Sequence, residues 1–176
     1  MRIFSTKHRT KKSRRGLSLA EVMISLAISA MLLTAVAAAF TASSDAIDVN
    51  DQFFRASQAA RVSMTQILTE IRRANAVGIP ANNATLSMIT HDGKDRTYKY
   101  FPTESKLKLI TNDVLTDPDY TLASNCTSTT FDVDTYTDAG GVKHVNRVAV
   151  TIVVKVSGNV IRLTGSAAPR KEQSWQ

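Results

Sequence analysis

A single cysteine, Cys126, occurs among the 176 residues, so an intramolecular disulfide is excluded and stability must come from the core and from packing between elements. Cys126 itself reads as a small apolar core residue rather than as a reactive thiol or an intermolecular bridge. Glycine and proline are scarce, with 7 and 4 copies, and neither occurs between Leu17 and Val77. Acidic residues are missing from the first stretch altogether, since none precedes Glu21. The 3 histidines, His8, His91 and His144, are too scattered to suggest a zinc cluster, and no H-E-x-x-H spacing, Cys pair, Gly-rich phosphate loop or G-x-S-x-G elbow is present. An enzyme is not expected, and no cofactor or metal is implied.

What is present is strongly polarised. The formal charge is +7, but Arg2, Lys7, Arg9, Lys11, Lys12, Arg14 and Arg15 all stand ahead of Gly16. Of the 22 lysines and arginines these seven are the excess, so the 15 that remain balance the 15 acids. The basic character therefore belongs to a terminal segment, and a nucleic-acid surface on the folded part loses its main support.

From Leu17 to Phe40 the sequence runs LSLAEVMISLAISAMLLTAVAAAF, with Glu21 as its one charge. A helix rises about 1.5 Å per residue, so roughly 20 such residues cross the hydrocarbon layer. The cations before this run, and Asp45, Asp48 and Asp51 beyond it, place the N-terminus in the cytoplasm and the rest outside. An ordinary signal peptide has a shorter apolar region and a small-residue cleavage site followed by a break in composition. Here the run flows into more helix-compatible sequence, which fits a retained anchor. Glu21 by itself has two readings: a carboxylate that pairs within the membrane, or one that reaches the nearby headgroups.

The segment Arg14-Arg15-Gly16-Leu17-Ser18-Leu19-Ala20-Glu21 resembles the processing signature of the type IV pilin and type II secretion pseudopilin family: basic residues, a glycine, then an apolar helix whose fifth residue is glutamate. The resemblance implies cleavage between Gly16 and Leu17 by a prepilin peptidase and N-methylation of Leu17. It also implies an inner-membrane assembly platform and other pilin or pseudopilin subunits as partners, besides membrane lipid. A glycine at the cut leaves the backbone unobstructed in a protease cleft, and cleavage there removes all seven cations. A neighbouring subunit's Glu21 would then neutralise the new amino group of Leu17 in low dielectric. Ser25, Ser29, Ala35 and Ala39 are candidates for close helix packing. Two positions depart from the commonest family pattern: Leu17 stands where phenylalanine is most frequent, and Ala38 lies near where many major pilins have a proline. The second favours a minor or initiating subunit.

Beyond Phe40 the pattern becomes amphipathic, with Val49, Phe53, Ala56, Ala60, Met64, Ile67 and Ile71 at spacings of three and four. Gly78 and Pro80 are stop signals. The organisation expected is a basic leader at 1–16, a transmembrane and filament-core helix at 17–40, its amphipathic continuation at 41–77 and an antiparallel β head at 78–176. Strand candidates in the head are 86–90, 96–101, 106–111, 130–136, 147–156 and 159–164, the last two joined by a Ser157-Gly158 hairpin turn. The fold class is thus α+β, a long helix packed on one antiparallel sheet of five or six strands. Ile67 to Ala74, the central Cys126 and the closing Ala168-Pro169-Arg170 look like the J-type pseudopilin or W-type minor pilin. Asp113, Asp117 and Asp119 lack the spacing of an EF-hand loop, and ordinary loop solvation is favoured over calcium, as it is for Asp132, Asp134 and Asp138.

Two rival functions remain beside a filament subunit. A permanently anchored extracytoplasmic binding module would keep its leader, and a secreted enzyme would lose the whole apolar segment.

Overall fold

Fifty-five consecutive residues without glycine or proline form one helix, α1 (Leu19–Arg73). The computed structural model describes residues 16, 18–78, 81–114, 116–170 and 174–175. Residues 1–15 of the leader expected at 1–16, together with Leu17 and the stop signal at Pro80, therefore lie outside the described residues. The Ser18 carbonyl accepts the first helical bonds, from the Glu21 and Val22 amides at 3.0 and 3.2 Å. The chain divides after Asp45 into two units.

In the first unit every described residue of the helix is exposed. Its most apolar window has a mean hydropathy of 2.3, and none of that window is buried among the described residues.

The second unit is α+β. Among the described residues nine strands follow the helix: β1 (Ala76–Gly78), β2 (Thr85–Ile89), β3 (Asp95–Phe101), β4 (Lys106–Thr111), β5 (Tyr120–Ala123), β6 (Cys126–Thr137), β7 (Lys143–Val156), β8 (Asn159–Ala167) and β9 (Ser174–Trp175). They make two sheets where the sequence suggests one. The larger has the order β5-β4-β3-β2-β1-β9 and the smaller is the meander β6-β7-β8. All neighbours are antiparallel except β1 and β9, which pair in parallel. The hairpin between β7 and β8 closes on Ser157 and Gly158 with φ of 47° and 91°, the pair of positive values that a two-residue turn demands.

Helix α1 stops at Arg73 rather than continuing to residue 77. The reason is a competing partner. The Asn75 amide donates to the Ile89 carbonyl at 2.9 Å and its side-chain nitrogen to the Thr90 carbonyl at 3.0 Å, which turns the next residues into a strand beside β2.

One apolar core joins the helix to both sheets. Ala56, Ala60, Met64, Ile67 and Ile71 are its contribution from α1, as their spacing requires, while Val49 and Phe53 are only half-buried. Alternation on the long strand β7 buries Val148, Val150, Ile152, Val154 and Val156. On β8, Gly165 lets the helix come close, because a Cβ there would lie 2.7 Å from Leu68 Cδ1. Ser63 meets the larger sheet, with its hydroxyl 3.0 Å from the Leu122 carbonyl. Tyr100 ties the two sheets by donating to the Thr127 carbonyl at 2.7 Å.

Candidate assembly surface

The exposed part of α1 carries most of the residues singled out in the sequence. Gly16 is exposed, and nothing among the described residues comes within 4 Å of the place a Cβ would take, so no packing among them explains a glycine there. Glu21 is the acid in the first turn of α1 and is exposed. An acidic side chain there complements the positive end of the helix dipole.

Leu19, Leu26, Leu33 and Phe40 recur every seven residues, and each is at least 70 % exposed. A seven-residue step turns an α-helix by two turns less about 20°, so these four form a single ridge. By the same arithmetic Glu21, Ala35 and Ala39 fall on the opposite side and Ser25 a quarter turn away, whereas Ser29, three residues from Leu26 and four from Leu33, borders the ridge. The one carboxylate thus shares its face with Ala35 and Ala39, where another backbone can approach closely. Three hydroxyls in the apolar run are satisfied within the helix. Ser25 donates to the Glu21 carbonyl and Ser29 to the Ser25 carbonyl, each at 2.8 Å, and Thr34 to the Met31 carbonyl at 2.8 Å. These three hydroxyls therefore do not need water.

Such a surface suits a bilayer or other helices. In water it would leave Met23, Ile24, Ile28, Met31, Leu32 and Val36 solvated as well, all more than half exposed.

The second unit adds a feature that sequence reasoning missed, a groove of about 600 Å³ between the exposed side of α1 and the turn after β2. Its walls include Arg61, Val62, Thr65, Thr69, Arg73 and His91. At its edge Glu70 receives two hydrogen bonds, from Arg96 Nη1 at 2.7 Å and from the Tyr98 hydroxyl at 2.6 Å. Burial first, and the Glu70 carboxylate second, hold the Tyr98 phenol far above the ordinary tyrosine range, so it stays a donor. Among the described residues Arg96 Nε is buried without a partner. The only sequence signal for the groove is the spacing of Arg61, Thr65, Thr69 and Arg73 at every fourth residue.

The other candidates do not converge on chemistry. Cys126 is fully buried, and burial pushes its thiol up, away from the thiolate that reactivity requires. Asp113 accepts the Asp95 amide at 3.0 Å, and Asp117 accepts the Thr111 and Tyr120 hydroxyls at 2.8 and 2.7 Å. Asp138 is bonded to the Gly140 and Val142 amides and to His144. Among the described residues no three His, Cys, Asp or Glu side chains are grouped to hold a metal ion.

A family model described as a prokaryotic N-terminal methylation motif matches residues 11–37. Comparison with curated proteins and with solved structures returned no match.

Proposed function

We propose that this chain, which carries the N-terminal methylation motif of the type IV pilin and pseudopilin family, is a minor pilin-like or pseudopilin subunit of a type II secretion pseudopilus or a type IV pilus. The motif belongs to a structural family, and it implies processing by a prepilin peptidase and assembly with other pilins. The long apolar helix is consistent with a single-pass membrane anchor.

On this reading the leader at 1–16 orients the precursor with its N-terminus in the cytoplasm. Cleavage after Gly16 then frees Leu17 for methylation, and an inner-membrane platform extracts the subunit into a filament. Residues 17–40 form the filament core, with Ser25, Ser29, Ala35 and Ala39 at helix contacts. An unpaired carboxylate inside hydrocarbon costs roughly 2.5–3.5 kcal/mol on insertion scales. The Leu17 amino group of a neighbour would offset that cost for Glu21, and the pair would be complete only in the assembled state. A minor subunit that keeps this glutamate belongs within the shaft or just below the tip.

The observation that carries the proposal is the motif leading into a helix whose only early charge lies on its small-residue face. Its test is the N-terminal residue and intact mass of membrane-extracted protein from cells with and without a prepilin peptidase. A peptidase-dependent start at Leu17 with one added methyl is expected. An intact leader in both strains would instead establish a permanently anchored binding module, and a start beyond Phe40 a secreted domain.

A further inference from the structure

We infer that the groove along Arg61–Arg73 is the seat for the Ile47–Phe54 segment of α1 in a second copy of this chain; the inference rests on the filament reading, with the chain repeated within the shaft rather than placed once below the tip, and specifies one of its contacts. The groove has an apolar floor with a cation at each end, and of the carboxylates that also line it Glu70 is engaged by Arg96 and Asp92 by Thr90 and Lys94. Thr65 and Thr69 donate their hydroxyls back to the Arg61 and Thr65 carbonyls at 3.0 and 2.7 Å, which leaves their methyl groups to face outward beside Val62. Val62 is 64 % exposed. Among the described residues neither Arg61 nor Arg73 has an acidic partner, whereas Arg96 is already engaged by Glu70.

The chemistry this asks of an occupant is a helix with large apolar residues next to carboxylates. The same chain has one to offer. Ile47 and Phe54 stand two turns apart on the open side of α1, 65 % and 62 % exposed, and Asp48 beside them has no cationic partner among the described residues. A parallel copy given a half turn about the helix axis and displaced along it by thirteen to fifteen residues, about 20–22 Å, sets Asp48 against Arg61 and brings Ile47 and Phe54 over Val62, Thr65 and Thr69. The two patches are complementary, not identical. Contacts of that kind join head to tail and generate open helical assemblies rather than closed dimers.

The test uses the full-length chain in cells that assemble it. Ile47→Cys and Val62→Cys are introduced together; fifteen residues of helix, roughly 22 Å, keep them from bridging within one molecule. The expected result is an oxidised ladder of this chain in the sheared filament fraction, absent from either single variant. Arg61→Asp alone is expected to reduce incorporation roughly fivefold, as a rim ion pair becomes a like-charge contact. Adding Asp48→Arg is expected to restore it. Because the two positions are too far apart to meet in one molecule, rescue reports contact between copies.

Unchanged incorporation of Arg61→Asp, no rescue by the exchange, or a cross-link only to a protein of different mass overturns the inference. Processing at Gly16 is followed in every strain. If the unmodified chain is neither processed nor incorporated, the filament reading fails and this contact fails with it; if it is both, the cross-link alone decides.

Discussion

Tyr98 donates its phenolic hydrogen to Glu70 at 2.6 Å, so a strand hydroxyl and a helix carboxylate 28 residues apart fasten α1 to β3. Glu70 also carries the Arg96 ion pair at 2.7 Å, with both side chains no more than a quarter exposed. Tyr98→Phe leaves that ion pair in place and is expected to lower stability by about 1.5–3 kcal/mol, the range for a hydrogen bond to a charged group. Glu70→Ala is expected to cost more, because it strands Arg96, whose Nε already lacks a partner among the described residues. Thermal unfolding of the full chain in detergent compares the two.

The same pair predicts an alkaline limit. The folded Tyr98 phenol ionises above its ordinary value of 10.0, so the unfolded chain releases that proton first as pH rises. Its contribution to stability is complete below pH 10 and declines above it. In Tyr98→Phe this part of the decline is expected to vanish, which denaturant midpoints measured on either side of that pH would show.

Gly165 and Leu68 make a second testable contact between helix and sheet. A Cβ at 165 would sit 2.7 Å from Leu68 Cδ1 and 3.4 Å from Met64 Sδ. Gly165→Val is expected to destabilise by about 2 kcal/mol through overpacking. Leu68→Ala in the same chain is expected to recover at least half of that loss, since it vacates the space. Equal melting of the single and double variants would place the strain elsewhere.

Asp138 organises the tip of the hairpin between β6 and β7. His144 first, then the Val142 and Gly140 amides, lower its carboxyl below the ordinary value of 3.8. The ordered tip is therefore favoured above that value and is lost as acid titrates the folded carboxylate. Asp138→Ala is expected to speed amide exchange at Gly140 and Val142 with no change at Tyr98. Exchange at the tip that stays slow would contradict this.

Glu21→Ala is expected to leave cleavage after Gly16 largely intact while reducing incorporation into filaments. Immunoblots of the membrane and sheared fractions separate these two steps. Undiminished incorporation removes charge pairing from the assembly mechanism.

The fold's repeating elements were legible because their determinants are local. A run without glycine or proline makes α1, and the spacing of Ala56, Ala60, Met64, Ile67 and Ile71 marks its buried side. All six strand candidates occur, each within a few residues of its expected ends except β6 and β7, which begin four residues earlier than expected. The methylation motif is likewise local, a contiguous stretch within residues 11–37.

Partnership decided what remained. β1, β5 and β9 have two to four residues each, too few to show alternation, and they are strands because β2, β4 and β1 offer them open edges. The division into two sheets depends on which edge each long strand finds, and alternation along a strand reports burial without naming the neighbour. The groove at Arg61–Arg73 was invisible for the same reason. A helical repeat shows that Arg61, Thr65, Thr69 and Arg73 share a side, but only the tertiary fold brings the turn at His91 across from them and encloses a space.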